Sequence, residues 1–318
     1  MMKNNADPVG TLSIGNVVTT GTTLYKSNFK RYLQVSLRAT AWVVAIVAAS
    51  VGFLFVGVAL YGITKSWLLS IPVILGWVAV TFYFLAKYST DRAVICRLAY
   101  QELADAPETV QDATRQLLPR MWGFLRLSWL VSLYLFLVAL ISYIGLAIVI
   151  SILIAILTYG LNLGTGNIAV SFAIGLLVVV LILLWFALLI RYYAYWFVAE
   201  LPLAIESTTS ANFSISRSRQ LSAIAANKVA AIIAVAFLVT APINLLGNVP
   251  SFIGQIMTTS QSGPFANPST QAIASLLMLG GFFLGLLAEL IVMPFWQVIK
   301  AIVYYDLRNR REGSDLNI

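Results

Sequence analysis

The chain has 318 residues, 60% apolar and only 10% charged, with a net charge of +8 and no histidine. Soluble domains carry roughly a quarter charged residues, so this composition belongs to a membrane protein. Lacking histidine, the chain has no Ser-His-Asp or Cys-His nucleophile, histidine metal site or histidine proton switch, and its single cysteine, Cys96, forms no intramolecular disulfide.

Residues 1–36 are polar or amphipathic and lack the short apolar core and cleavage site of a removable signal. The first span is therefore read as an uncleaved anchor behind a cytoplasmic segment. Within that segment Ile14, Val17, Val18, Gly21, Tyr25, Phe29 and Tyr32 recur every three or four residues, with Lys26, Lys30 and Arg31 largely elsewhere. That period predicts a helix lying on the membrane or the bundle, with Ile14, Phe29 and Tyr32 buried.

A bilayer core of roughly 30 Å takes about 20 apolar helical residues. Spans are predicted at 39–61 and 67–88, joined by a turn holding Lys65. Residues 91–118 follow as two helical parts, with Asp105 and Glu108 at capping-box spacing and Val110, Ala113 and Leu117 on one side. The acidic residues there, Glu102, Asp105, Glu108 and Asp112, read as a solvated face. The third span, 127–159, exceeds the need and must tilt, bend or protrude. A polar turn at 160–167 precedes the fourth span, 168–197; its Gly164-Thr165-Gly166 lacks the strand and lysine of a phosphate loop. After Glu206 a weaker amphipathic stretch carries Phe213, Ile215 and Leu221. The fifth span is 229–246, the sixth 272–305, and 306–318 forms a tail.

Lys65 is the one charge in the three connections on the far side, and 247–271 has none. Lys and Arg gather on the other side, the positive-inside pattern. It predicts six spans with both termini cytoplasmic, in a bacterial-type plasma membrane or an internal membrane of the same polarity. The fold class is all-α membrane protein, a single domain over 1–318. An amphipathic helix plus hairpin is written three times, at about 11–88, 107–197 and 207–305.

Two charges lie inside spans. Glu289 stands eleven residues before Lys300, about 17 Å along a helix, and Arg191 nine before Glu200, about 14 Å. Their similar depth predicts an intramembrane pair, since a lone mid-bilayer charge costs on the order of 3 kcal/mol. Gly281, Gly285 and Glu289 share one stripe, and the two glycines invite close helix approach.

Three motifs resemble the membrane domain of glycerophosphodiester phosphodiesterase and related bacterial membrane proteins. They are Leu12-Ser13-Ile14-Gly15 with Leu24-Tyr25-Lys26-Ser27-Asn28-Phe29, then Pro202-Leu203-Ala204-Ile205-Glu206 with Arg217-Ser218-Arg219-Gln220-Leu221, and finally Tyr304-Tyr305-Asp306-Leu307-Arg308. The resemblance implies a membrane fold and no activity. In that family the hydrolase chemistry sits in a separate soluble barrel that relies on histidine, and this chain's longest extramembrane stretches, about 30 residues, fall far short of the roughly 250 a barrel takes.

The expectation is a non-enzymatic membrane protein without cofactor: a scaffold, assembly factor or accessory subunit whose partners are membrane lipids and other membrane subunits or itself, and not nucleic acid. The rival is a transporter or channel for a small or lipid-like solute. A cysteine placed at position 262 of a Cys96-free variant is expected to react with an impermeant reagent in intact cells. Reaction only after permeabilisation would invert the topology.

Overall fold

Hydrocarbon offers the peptide group no hydrogen-bond partner, so a crossing segment must satisfy its own backbone, and a helix does so. The computed structural model describes residues 13–156, 168–206, 210–260 and 268–314. Its helices are α1 (Ile14–Ser27), α2 (Phe29–Thr64), α3 (Ser70–Leu103), α4 (Val110–Leu117), α5 (Met121–Ala155), α6 (Ile168–Ala194), α7 (Glu200–Ile205), α8 (Ala211–Ala223), α9 (Ala226–Ser260) and α10 (Pro268–Ser314). No strand occurs among the described residues. Six helices are long and apolar enough to cross a membrane. This is an all-α membrane protein. The turn at 160–167 and position 262 lie outside the described residues.

The element order is a short helix followed by two long ones, three times over, with α7 inserted before the third. The short helices α1, α4 and α8 each begin at a hydroxyl cap. Ser13 Oγ accepts from Asn16 N at 3.2 Å, Thr109 Oγ1 from Asp112 N at 3.2 Å, and Ser210 Oγ from Phe213 N at 3.3 Å. The capping box expected at Asp105 and Glu108 is therefore displaced: Thr109 caps α4. Asp105 instead takes a left-handed φ of 54°, one residue past the Ala104 cap of α3, and Glu108 pairs with Arg97 at 2.7 Å. The fifth span also runs on, α9 continuing through Pro250 to Ser260. Lys65 supplies the left-handed residue that ends α2, its N–H bonded to the Tyr61 carbonyl at 2.8 Å.

At 1.5 Å per residue, the 47 residues of α10 extend about 70 Å, more than twice the bilayer core. The surplus carries the packed core. Buried side chains gather at the charged ends of the helices: Tyr32, Val35 and Ala39 from α2, Ile95 and Leu98 from α3, Phe124 and Leu127 from α5, and Val298, Ile299 and Ile302 from α10. Within the apolar windows the position reverses. Those of the first four spans are 0% buried inside the chain, and those of α9 and α10 only 28% and 22%. The hairpins thus part from one another in the hydrocarbon and meet at the charged end.

Within each hairpin a serine of the first span bonds across to the second. Trp77 Nε1 donates to Ser50 Oγ at 2.9 Å and Trp185 Nε1 to Ser142 Oγ at 2.9 Å, while Ser251 Oγ donates to the Met278 carbonyl at 3.4 Å. The third hairpin closes tightest. A Cβ on Gly281 would stand 2.5 Å from Ser251 N, one on Gly254 2.7 Å from the Ala274 carbonyl, and one on Gly247 2.9 Å from Ala288 Cβ. Gly285 has only an ordinary contact, 3.8 Å from Asn248 Oδ1.

Pro294 removes an N–H from α10 and orphans the carbonyl four residues back. Ser36 Oγ donates to that carbonyl, Leu290 O, at 2.9 Å, and Tyr25 Oη donates to Ile291 O at 3.0 Å. These bonds seat α1 and α2 on α10. Val17, Gly21 and Tyr32 are buried as the helical period requires, but Phe29 stays 38% exposed at the rim, edge-on to Tyr25. On α8 the buried face is Ser214, Ser218, Leu221 and Ser222, leaving Phe213 exposed. Serines let the backbones approach where a phenylalanine cannot.

Ser36→Ala should lower stability in detergent by about 1 kcal/mol, the net worth of one hydrogen bond. Gly281→Leu should cost more, roughly 1–3 kcal/mol from overpacking, because the obstacle is backbone. Thermal melting of the purified variants checks the order; equal stability of Gly281→Leu and the parent would refute the close approach.

A buried charge cluster at the junction of the three hairpins

The helical period of α3 places Tyr88, Arg92 and Cys96 on one stripe. On α10, Gln297 and Lys300 are three residues apart and share a face. Glu200 lies in the first turn of α7, where an acid suits the positive end of a helix. These elements bring the charges together. Arg92 Nη2 reaches Glu200 Oε1 at 3.1 Å, and Lys300 Nζ reaches Glu200 Oε2 at 3.2 Å. With the Gln297 amide nitrogen turned to Glu200 Oε2 (3.1 Å), its oxygen accepts from Arg92 Nε at 3.0 Å. Gln297 is 1% exposed and Lys300 4%. The Lys300 ammonium also stands 5.9 Å from the centre of the Phe197 ring, and the Arg92 guanidinium 5.7 Å from that of Tyr88. Cys96 is buried against the same group, its sulfur 3.7 Å from the Gln297 carbonyl.

Burial works to raise the Glu200 carboxyl, but the Arg92 and Lys300 charges outweigh it and hold the group below its ordinary value. Glu200 is thus a carboxylate shared by two cations. One wall of a cavity of about 190 Å³ is formed by Arg92, Glu200 and Lys300, with Ser128 and Ser132 of α5 and Trp196 also lining it.

The motif residues singled out in the sequence lie nearby at the charged end. The Glu206 N–H bonds the Pro202 carbonyl at 2.9 Å. The Glu206 carboxylate accepts from Tyr304 Oη at 3.1 Å and faces Arg217 Nε at 3.9 Å, while Arg120 Nη1 donates to the Glu206 carbonyl at 2.8 Å. Ser218 Oγ donates to the Tyr195 carbonyl at 2.9 Å. Asp306 pairs with Arg310 at 3.0 Å, and Arg308 Nη1 donates to Tyr100 Oη at 3.0 Å. Two motifs far apart in sequence, 202–217 and 304–308, thus meet through Tyr304 and Glu206.

Arg191 and Glu289 are not joined. Arg191 is exposed, Glu289 is half-buried, and neither makes an ion pair or hydrogen bond among the described residues. The cation acting on Glu289 is Arg92. Equal depth is insufficient without adjacency: α6 packs on α5 and α9, whereas α10 packs chiefly on α9 and α3. The cluster at Arg92, Glu200, Gln297 and Lys300 escaped sequence reasoning because each member lies near a span end, where a charge is ordinary. Gln297 and Lys300, three residues apart in the otherwise apolar run after Pro294, were the available signal. Among the described residues no group of His, Cys, Asp and Glu could hold a metal ion. Comparison with family models, curated proteins and solved structures finds no match for this chain.

Glu200→Gln should leave the buried Lys300 and the half-buried Arg92 facing each other without an anion and cost about 3 kcal/mol, and Glu200→Gln combined with Lys300→Met should cost less than that. The depressed Glu200 value means that its contribution is present above the unfolded glutamate value, about 4.3. It is lost as pH falls through the lower folded value, so the gap in melting temperature between parent and Glu200→Gln should close only in that acid range. A gap that already closes near neutrality would show that another group carries it.

Proposed function

We propose that this chain is a non-enzymatic integral membrane protein that gathers other membrane components, as a scaffold, assembly factor or accessory subunit, with both ends in the cytoplasm. The observation that supports this reading is the division of the molecule. Its charged end is one interlocked core, while among the described residues none in the apolar windows of four spans is buried within the chain. Leu54, Phe136 and Leu183 remain 66%, 60% and 62% exposed on three different spans. Lipid covers such faces readily, and so do spans of other subunits, since association in hydrocarbon rests on packing and interhelical hydrogen bonds. The likeness of the 202–206, 217–221 and 304–308 motifs to the glycerophosphodiester phosphodiesterase membrane domain agrees with a non-catalytic role. The cavity beside Arg92 favours a second reading, movement of a small or lipid-like solute.

A photo-crosslinker at 54, 136 or 183, introduced in the native membrane, should join the chain to one defined membrane protein from one of these faces. The same label at Ile233, a large side chain buried on α9, should give only internal links. Uniform lipid labelling from all three faces, together with solute flux in liposomes holding the pure chain, would replace the scaffold reading by transport.

A further inference from the structure

We propose that the cavity between α5 and the α6–α7 junction is a binding site for the phosphate group of an anionic membrane lipid, held by Arg92 and Lys300 at its wall. Three observations carry this. At the cavity wall the cations outnumber the carboxylates two to one. Glu200 is the carboxylate there, and Glu289, which also acts on Arg92 from α10, lines neither cavity. A basic residue walling a cavity between spans near the cytoplasmic surface is the chemistry that receives anionic headgroups. The Lys300 ammonium is 4% exposed and has three N–H donors, yet Glu200 is its one ionic partner among the described residues. Its remaining donors lie beside a space of about 190 Å³, where a water needs roughly 30 Å³.

The second observation is access. A further cavity of about 330 Å³ shares Arg92, Ser128 and Ser132 with the first and is otherwise walled largely by Leu85, Tyr88, Leu125 and Trp129. A headgroup bonded to Arg92 and the two serines would have apolar wall beside it for the start of its acyl chains. A free phosphate would leave that wall unused. The third observation is height. Lys87 of α3 and Arg126 of α5 are the basic residues next to the apolar runs of their helices, and they mark the headgroup level. Arg92 is five residues from Lys87, about 7.5 Å along the helix, so a lipid phosphate stands near its own depth when it enters.

The site is independent of partner recruitment, so failure of the crosslinking experiment would leave it standing, and the converse holds. The test uses the full chain, delipidated in a detergent without phosphate. Dioctanoyl phosphatidylglycerol, dioctanoylglycerol and inorganic phosphate are titrated separately and read by tryptophan fluorescence, because Trp129 and Trp196 line the two cavities. Native mass spectrometry gives the stoichiometry. Saturable binding of one phosphatidylglycerol, none of dioctanoylglycerol and no displacement by matched inorganic phosphate is the expected result. Ser132→Phe, which fills the shared wall, should weaken binding on the order of tenfold or more, about 1.4 kcal/mol for each factor of ten, and Lys300→Arg should retain it. If Ser132→Phe lowers the melting temperature, Ser128→Leu fills the neighbouring position and meets the same criterion. Equal binding of both dioctanoyl compounds, or parent-like binding by a folded filling variant, overturns the site. Displacement by inorganic phosphate at matched affinity overturns the lipid assignment in favour of a free anion.

Discussion

The Glu200 carboxylate between Arg92 and Lys300 is the interaction on which the assembly of the three hairpins turns. Arg92 belongs to the first hairpin and Lys300 to the third, while Glu200 follows the second directly. One largely buried anion therefore ties together all three repeats. Two cations in a low-dielectric core repel unless a carboxylate lies between them, and each must give up hydration to be there. The Gln297 amide completes the net by bonding both the acid and Arg92. The hydrophobic side chains around it, Phe197 among them, lower the local dielectric and so strengthen every charge pair inside.

Beyond this core the physics changes. Lipid tails are as apolar as leucine, so no hydrophobic force draws one hairpin to the next in the hydrocarbon. Each hairpin is held by what remains: a serine bond across it, and in the third a glycine contact close enough to exclude a methyl group. The water-facing end has the hydrophobic effect as well, and there the short helices and the surplus lengths of the spans collapse into a single core. The molecule is thus closely packed where water acts and open where it does not. That contrast leaves the clefts in which lipid or other spans can lie.

Pro294 shows how the two regimes are joined. A proline in a spanning helix frees a carbonyl, and in lipid that group needs a donor from the protein. Ser36 of α2 gives one to Leu290, and Tyr25 of α1 gives another to Ile291. A local defect in the last span becomes the attachment point for the first two helices. The same economy governs α8, whose serines rather than its phenylalanine meet the core.

Composition and charge pattern alone determined the all-α class and the six crossing segments, because a bilayer admits little else and both signals depend on residue type rather than on contacts. The order of short helix and hairpin was equally legible, since a 3.6-residue period and a long apolar run are local properties. Several particulars were not. The exposure of Arg191, the cation that acts on Glu289 and the side of α8 that packs all depend on which helices become neighbours. Sequence depth places a charge along one axis only. Lateral adjacency was decided by tertiary structure, through the Gly247, Gly254 and Gly281 contact that fixes α10 on α9 and the Glu200 link that fixes α10 near α3. Those contacts join residues far apart in the chain, and no period within a single helix encodes them.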